Sequence, residues 1–188
     1  MKFFTKLHKD LARQRRLREQ TFGITRQAQQ AAKLAIFAVH RDNPKEAEEF
    51  LTRAQKQLAG VQHNLRKEPR ALNDGNLLAA LEEFGEAWLT FMFTQNKKLA
   101  FPKKPVLAAD QQVGAAADFT GELVRRVVLA ATDGDRKTVD RAYKTVREVV
   151  DHLAKADLTG HLRQKFDEAK RNLKRLEEIR YDLKVRGR

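Results

Sequence analysis

Apolar residues return at intervals of three and four along nearly the whole chain, which is the period of an α-helix with one buried face. The first such helix is predicted from about Thr5 to His40, with Ala28, Ala32, Ala35, Ile36 and Val39 as its stripe and Gly23 as a place to bend. Asp42-Asn43-Pro44-Lys45-Glu46 reads as a stop and a restart. Asn43 caps the next helix, Pro44 suits its first turn, and Glu46 reaches back in the manner of a capping box. Helix two runs to about Arg66 on Ala47, Leu51, Ala54, Leu58, Val61 and Leu65, and Asn73-Asp74-Gly75-Asn76 is a turn. Helix three gathers Leu77, Leu81, Phe84, Trp88, Phe91 and Met92 on one side, and Phe101-Pro102-Lys103-Lys104-Pro105 forms a loop because prolines oppose a continuing helix. Helix four covers about Ala108 to Ala131 and stops at Thr132-Asp133-Gly134-Asp135, with Gly134 as C-terminal cap and Asp135 as the following N-cap. Helix five carries Val139, Tyr143, Val146, Val150 and Leu153. Helix six, about Thr159 to Val185, sets Leu162, Phe166, Ala169, Leu173, Leu176, Ile179 and Leu183 at near-heptad spacing, which suits packing along another long helix. No alternating run rich in Val, Ile and Thr argues for a strand. The expectation is an all-α, elongated bundle in a single domain, residues 1–188, without internal repeats.

Charge narrows the possible partners. The 38 Lys and Arg against 25 Asp and Glu give a net charge of +13, which favours a polyanion, nucleic acid before an anionic membrane surface. The chain has no cysteine, so disulfides, thiolate metal sites and thiol nucleophiles are excluded, and a reducing cytoplasm is the expected compartment. The longest apolar stretch, Ala87 to Phe93, is far short of a membrane span, and Lys6, Lys9 and Asp10 interrupt any leader-like run at the start.

Against this basic background stand two acidic pairs at one-turn spacing, Glu83 with Glu86 and Asp118 with Glu122. On helical wheels Glu83 and Glu86 fall on the flank and back of helix three, and Asp118, Glu122 and Arg125 lie opposite the Val124, Val127 and Ala131 stripe of helix four. Two pairs donated by adjacent helices supply the oxygen ligands that a hard divalent cation such as Mg²⁺ or Mn²⁺ prefers. The same spacing also describes two solvated faces whose acids pair with nearby Lys and Arg. Arg13, Arg15, Arg16 and Arg18 on helix one, with Arg163, Lys165, Lys170, Arg171, Lys174, Arg175 and Arg180 on helix six, are candidates for phosphate contact. Other chemistries lack their motifs. His8, His40, His63, His152 and His161 are scattered without HExxH spacing, His40 reads as a helix-end residue, and no phosphate-cradling glycine loop or nucleophile elbow occurs. Trp88 and the phenylalanines near it recur at core spacing.

Leu81-Glu82-Glu83-Phe84-Gly85-Glu86-Ala87 and Ala116-Ala117-Asp118-Phe119-Thr120-Gly121-Glu122-Leu123-Val124-Arg125 resemble the two acidic motifs of the translin family, on the side of translin-associated factor X, with Phe119 in place of a leucine. Ala35-Ile36-Phe37-Ala38-Val39-His40-Arg41 is similar to the end of the family's first helix, Gly134-Asp135 to its turn, and Tyr181-Asp182-Leu183-Lys184-Val185-Arg186-Gly187 to its closing signature. The matches run in order over almost the whole chain. The resemblance implies a seven-helix-type α fold assembling into a hollow, octamer-like shell that binds single-stranded RNA and DNA, and in active members a Mg²⁺- or Mn²⁺-dependent endoribonuclease. It assigns catalytic roles to Glu83, Glu86 and Asp118, with Glu122 completing the metal set, and it singles out Arg18, in its Leu-Arg-Glu setting, for nucleic-acid contact. The connection between helices three and four is shorter than in the eukaryotic enzyme, and a homo-oligomer is the simpler expectation for one chain type.

The expected function is therefore a metal-dependent endoribonuclease on single-stranded RNA, with Arg13, Arg15, Arg16, Arg18, Arg125, Arg163, Lys165 and Arg171 contacting the strand. Two rivals remain: a non-catalytic nucleic-acid-binding shell in which the carboxylates only form salt bridges, and a purely structural helical assembly.

Overall fold

The computed structural model describes residues 2–186. Gly187, the end of the segment compared with the family's closing signature, lies outside the described residues. The described chain is all-α: α1 (Lys2–His40), α2 (Pro44–Leu65), α3 (Pro69–Leu72), α4 (Gly75–Thr94), α5 (Ala109–Thr132), α6 (Arg136–Leu153) and α7 (Gly160–Arg186). Predicted helices one to six correspond to α1, α2, α4, α5, α6 and α7. The short α3 was not among them; with four residues it has no room for an apolar period. No described helix is long and apolar enough to cross a membrane.

The breaks between helices follow local chemistry. The Asn43 side chain accepts from the Glu46 backbone N–H at 3.3 Å while its amide donates to the Glu46 carboxylate at 3.1 Å, with Pro44 in the first turn. Asp74 caps α4 by accepting from Asn76 N–H at 3.0 Å. At the end of α5, Gly134 takes φ +74°, and the Asp135 N–H reaches the Ala130 carbonyl at 2.8 Å. This is the Schellman closure, for which glycine carries no side-chain penalty. Asp135 then caps α6 through Thr138 N–H at 3.1 Å.

Two apolar clusters fill the bundle. The first joins the alanine face of α1 (Ala28, Ala31, Ala32, Ala35, Ala38) to α2 and to Leu77, Leu81 and Phe84 of α4. The second joins Leu89 and Phe93 of α4 to Phe119, Leu123 and Val127 of α5, with α6 and α7. Small side chains let α1 lie close to its neighbours. Because α4 packs on α1, α2 and α5, its buried residues spread around most of its circumference. This corrects the one-sided helix three expected from the sequence. Glu83 and Glu86 do not face open water; both are half-buried between helices. Residues 2–13 of α1 are all exposed and project past the first cluster.

The loop from α4 to α5 is held to α2 by glutamines. Gln62 accepts from Val106 N–H at 2.8 Å and donates to its carbonyl at 2.7 Å, and Gln55 donates to the Lys104 carbonyl at 2.7 Å. Trp88 is a packing residue whose indole N–H donates to the Ala100 carbonyl at 2.9 Å. These ties set where α5 begins and hence where its acids meet those of α4.

Candidate active site

The crossing of α4 and α5 decides the site. Gly85 lies at the contact: a β-carbon there would stand 2.7 Å from Leu107 Cδ2 and 2.8 Å from the Ala115 β-carbon. The missing side chain lets the helices approach closely between Glu83 and Glu86, at a helix-propensity cost of about 1 kcal/mol relative to alanine. One turn away, Gly114 of α5 leaves the space into which Glu82 folds.

Glu83, Glu86, Asp118 and Glu122 come within electrostatic reach of one another. Burial raises the Glu86 carboxyl to a pKa of about 8, and the negative charges of Asp118, Glu83 and Glu122 add to the effect against the opposing Lys165. Burial also raises Glu83; the neighbouring Lys33 opposes the shift and Asp118 adds to it. Three of the four acids have side-chain partners. Glu83 lies 3.7 Å from Lys33 Nζ, Glu122 pairs with His40 Nε2, and Asp118 pairs with Lys165 Nζ. The Glu86 carboxylate has no ion pair among the described residues.

Lys165 departs from the expected exposed row on α7. Its side chain is only 15% exposed, and its ammonium bridges Asp118 and Glu82, 2.9 Å from the latter. Burial works to lower its pKa, but hydrogen bonds and charge from Asp118 and Glu82 outweigh that and hold it above the ordinary lysine value. α7 is fixed at this height by Asn172, which donates to the buried Thr120 hydroxyl of α5 at 2.9 Å. His40 ends α1, as expected, yet its side chain is only 4% exposed and joins the acidic site. Its Nδ1 is buried without a hydrogen-bond partner.

Glu82, Lys33 and His40 were missed as site residues. Three acids within five residues of an otherwise apolar helix were the available signal for Glu82; nothing local marks Lys33 or His40, which arrive from α1 by tertiary packing. The donors around the cluster are carboxylate oxygens, which fit a hard divalent cation and not a soft one. As they stand, no three His, Asp or Glu side chains among the described residues converge closely enough to hold one. Glu83, Glu122 and Asp118 instead turn toward Lys33, His40 and Lys165 respectively.

Most of the other predicted cations are engaged with carboxylates. Arg13 pairs with Glu68, Arg15 with Glu19 at 3.0 Å, Arg163 with Asp167 at 3.5 Å, and Arg171 with Glu168. Arg16 is exposed. Arg18 donates to Asp74 at 2.8 Å, bracing the residue that caps α4. Burial raises the Asp74 carboxyl, and the hydrogen bonds from Arg18 and the Asn76 backbone outweigh it, leaving its pKa lowered. Arg15 and Arg18 line, with Arg70, Gln14, Leu11 and Ala71, a cleft of about 590 Å³ between α1 and α3. Arg125 stands apart on α5, its guanidinium carbon 5.7 Å from the Phe37 ring centre.

The described residues form a bundle of seven helices with an acidic cluster at the crossing of α4 and α5. Residues 16–187 match the family described as Translin family, and the chain belongs to it. No curated protein sequence matches. Among solved structures, the chain is similar to AfC3PO (21% identity, TM-score 0.83, covering 98% of each chain). It is similar also to AfC3PO in complex with duplex RNA (20% identity, TM-score 0.85, 98% of this chain and 97% of that one). Apo-NeC3PO superposes at TM-score 0.82 with 16% identity over 94% of each chain. At such identities the likeness shows the shared fold.

Proposed function

We propose that the chain is a Mg²⁺- or Mn²⁺-dependent endoribonuclease that hydrolyses single-stranded RNA, binds single-stranded DNA as well, works as a hollow homo-oligomer, and stands on the translin-associated factor X side of its family. The observation that carries this reading is the gathering of Glu83, Glu86, Asp118 and Glu122 between α4 and α5 of a chain with net charge +13. Excess positive charge draws in a polyanion, whereas buried like charges are costly unless a cation joins them. Family membership and the RNA held by an AfC3PO relative support RNA as the ligand class. The exposed Phe3, Phe4, Leu7 and Leu11 on the projecting stretch of α1 support self-association.

In this reading Glu83, Glu86, Asp118 and Glu122 would hold the cation once their side chains turn inward from their present partners. A divalent ion bound there would supply polarisation of the phosphate and a more acidic water. The rest falls to the chain. Asp118, fixed by Lys165, orients the attacking water, and the Lys165 ammonium offers positive charge to the phosphate. Glu86 keeps a proton near neutral pH while no cation is present, and His40 and Lys33 hold Glu122 and Glu83 in place.

The side-chain partners of Glu83, Asp118 and Glu122 favour a second reading, a nucleic-acid-binding shell without catalysis. Labelled single-stranded RNA incubated with the purified chain separates the two. Fragments that form with Mg²⁺ or Mn²⁺, vanish with EDTA and vanish in Glu86→Gln while binding persists are the expected result. Salt-sensitive binding with no fragments under any metal establishes the shell instead. A duplex competitor that displaces the strand equally would remove the single-strand preference.

A further inference from the structure

We infer that the groove between the end of α1 and α5, bounded by Phe37, His40, Arg41, Arg125, Val128 and Leu129, is a subsite for one unstacked nucleobase of the bound strand. The inference deepens the proposed reading and rests on it.

Phe37 lies off the alanine stripe of α1, so it is turned out of the core and left 50% exposed. Its neighbours across the groove, Val128 and Leu129 of α5, are 47% and 42% exposed. Three large apolar side chains in one recess of about 540 Å³ make a cavity within the range of about 300–1,000 Å³ typical of small-ligand clefts. Its rim is basic. The Arg125 guanidinium stands over the Phe37 ring at 5.7 Å and has no carboxylate partner among the described residues. Arg41 lines the same groove and shares its charge with Glu46 at 2.9 Å.

An aromatic face beside an uncommitted guanidinium is the pairing that sequence-tolerant single-strand binders use: the ring and the planar cation take the base, and the positive charge takes its phosphate. A purely apolar partner would leave Arg125 desolvated and unpaired, a cost that a phosphodiester removes. Position agrees with chemistry. His40 lines the groove and pairs with Glu122, so the recess adjoins the acidic cluster, and a base held there brings its own backbone toward the carboxylates.

The test compares an oligouridylate of about eight nucleotides with an abasic ribose-phosphate oligomer of equal length, in EDTA and low salt so that nothing is cut. The wild-type chain is expected to prefer the base-bearing strand roughly tenfold. Phe37→Ala loses that preference while binding the abasic strand unchanged, Phe37→Tyr restores it, and Arg125→Ala reduces it several-fold. Should Phe37→Ala fail to fold, the Tyr and Arg125 variants carry the comparison. A preference equal in all variants overturns the subsite. So does a fall in native mass in Phe37→Ala with the base preference intact, which would make this face a contact between copies of the chain. Failure of the parent reading looks different: wild-type chain that binds neither oligomer in a salt-sensitive way fails as a nucleic-acid protein, and the subsite falls with it. Wild-type chain that shows the base preference yet never cuts RNA fails only as a nuclease and leaves the subsite standing.

Discussion

The Glu82 carboxylate lies across α5 in the space that a β-carbon on Gly114 would occupy, and from there it reaches Lys165 Nζ at 2.9 Å. One absent methyl group thus places a carboxylate and, through it, the ammonium that faces Asp118. Gly114→Ala is expected to fold with stability near or above wild type, because alanine favours a helix by about 1 kcal/mol and the displaced atoms end a flexible side chain. Its site should nevertheless change. Glu82 is expelled, Lys165 keeps only Asp118, and RNA cleavage should need several-fold more Mg²⁺, as in Glu82→Ala. Metal titrations of the three proteins check this, and a Gly114→Ala curve that overlays wild type would remove Glu82 from the site.

Gly85 behaves oppositely, since its closest neighbours include the Ala115 β-carbon, which sits on a packed helix and cannot swing away. Gly85→Ala should destabilise the protein by about 1–3 kcal/mol from overpacking, partly offset by its helix propensity. Urea unfolding measures the net effect. A variant as stable as wild type would mean that the helices can part freely at this crossing.

Burial and like charge raise the Glu86 carboxyl from an ordinary 4.5 to about 8. Between those values the folded state keeps a proton that the unfolded chain releases, so stability falls as pH climbs through the window and the penalty is complete above about pH 8. Glu86→Gln carries no such charge. In metal-free buffer the variant should match wild type near pH 4.5 and exceed it above pH 8 by on the order of a few kcal/mol. Urea midpoints across the range test the sign; a wild-type advantage at high pH would place Glu86 next to an unrecognised cation.

Divalent ions should relieve the same repulsion. Mn²⁺ added at about one hundred times its dissociation constant is expected to stabilise EDTA-stripped protein by about 2.7 kcal/mol, and less in Glu86→Gln or Asp118→Asn. Thermal melts in a Mn²⁺ series report it directly. Equal melts with and without metal would leave the carboxylates as partners of Lys33, His40 and Lys165 alone.

The six long helices and their ends were legible in the sequence because both are local, whereas the four-residue α3 was not. The period of three and four is carried by each helix separately, and Asn43, Asp135 and Gly134 act on backbone groups within a few residues of themselves. The acidic pairs were legible as pairs for the same reason, one turn of helix holding Glu83 near Glu86 and Asp118 near Glu122. Only tertiary packing decided that the two pairs come within electrostatic reach of each other. It also sank them between helices, because α4 is enclosed by α1, α2 and α5, which no wheel drawn on α4 alone can reveal. Lys165 read as one cation in a row of many until the fold turned it onto Asp118, and His40 as a helix end until Glu122, distant in sequence, was brought against it. Short-range order follows from backbone hydrogen bonding and side-chain period. The electrostatics of the site follow from which helices touch, and that is set by the shapes of small residues such as Ala35, Gly85 and Gly114 at the crossings.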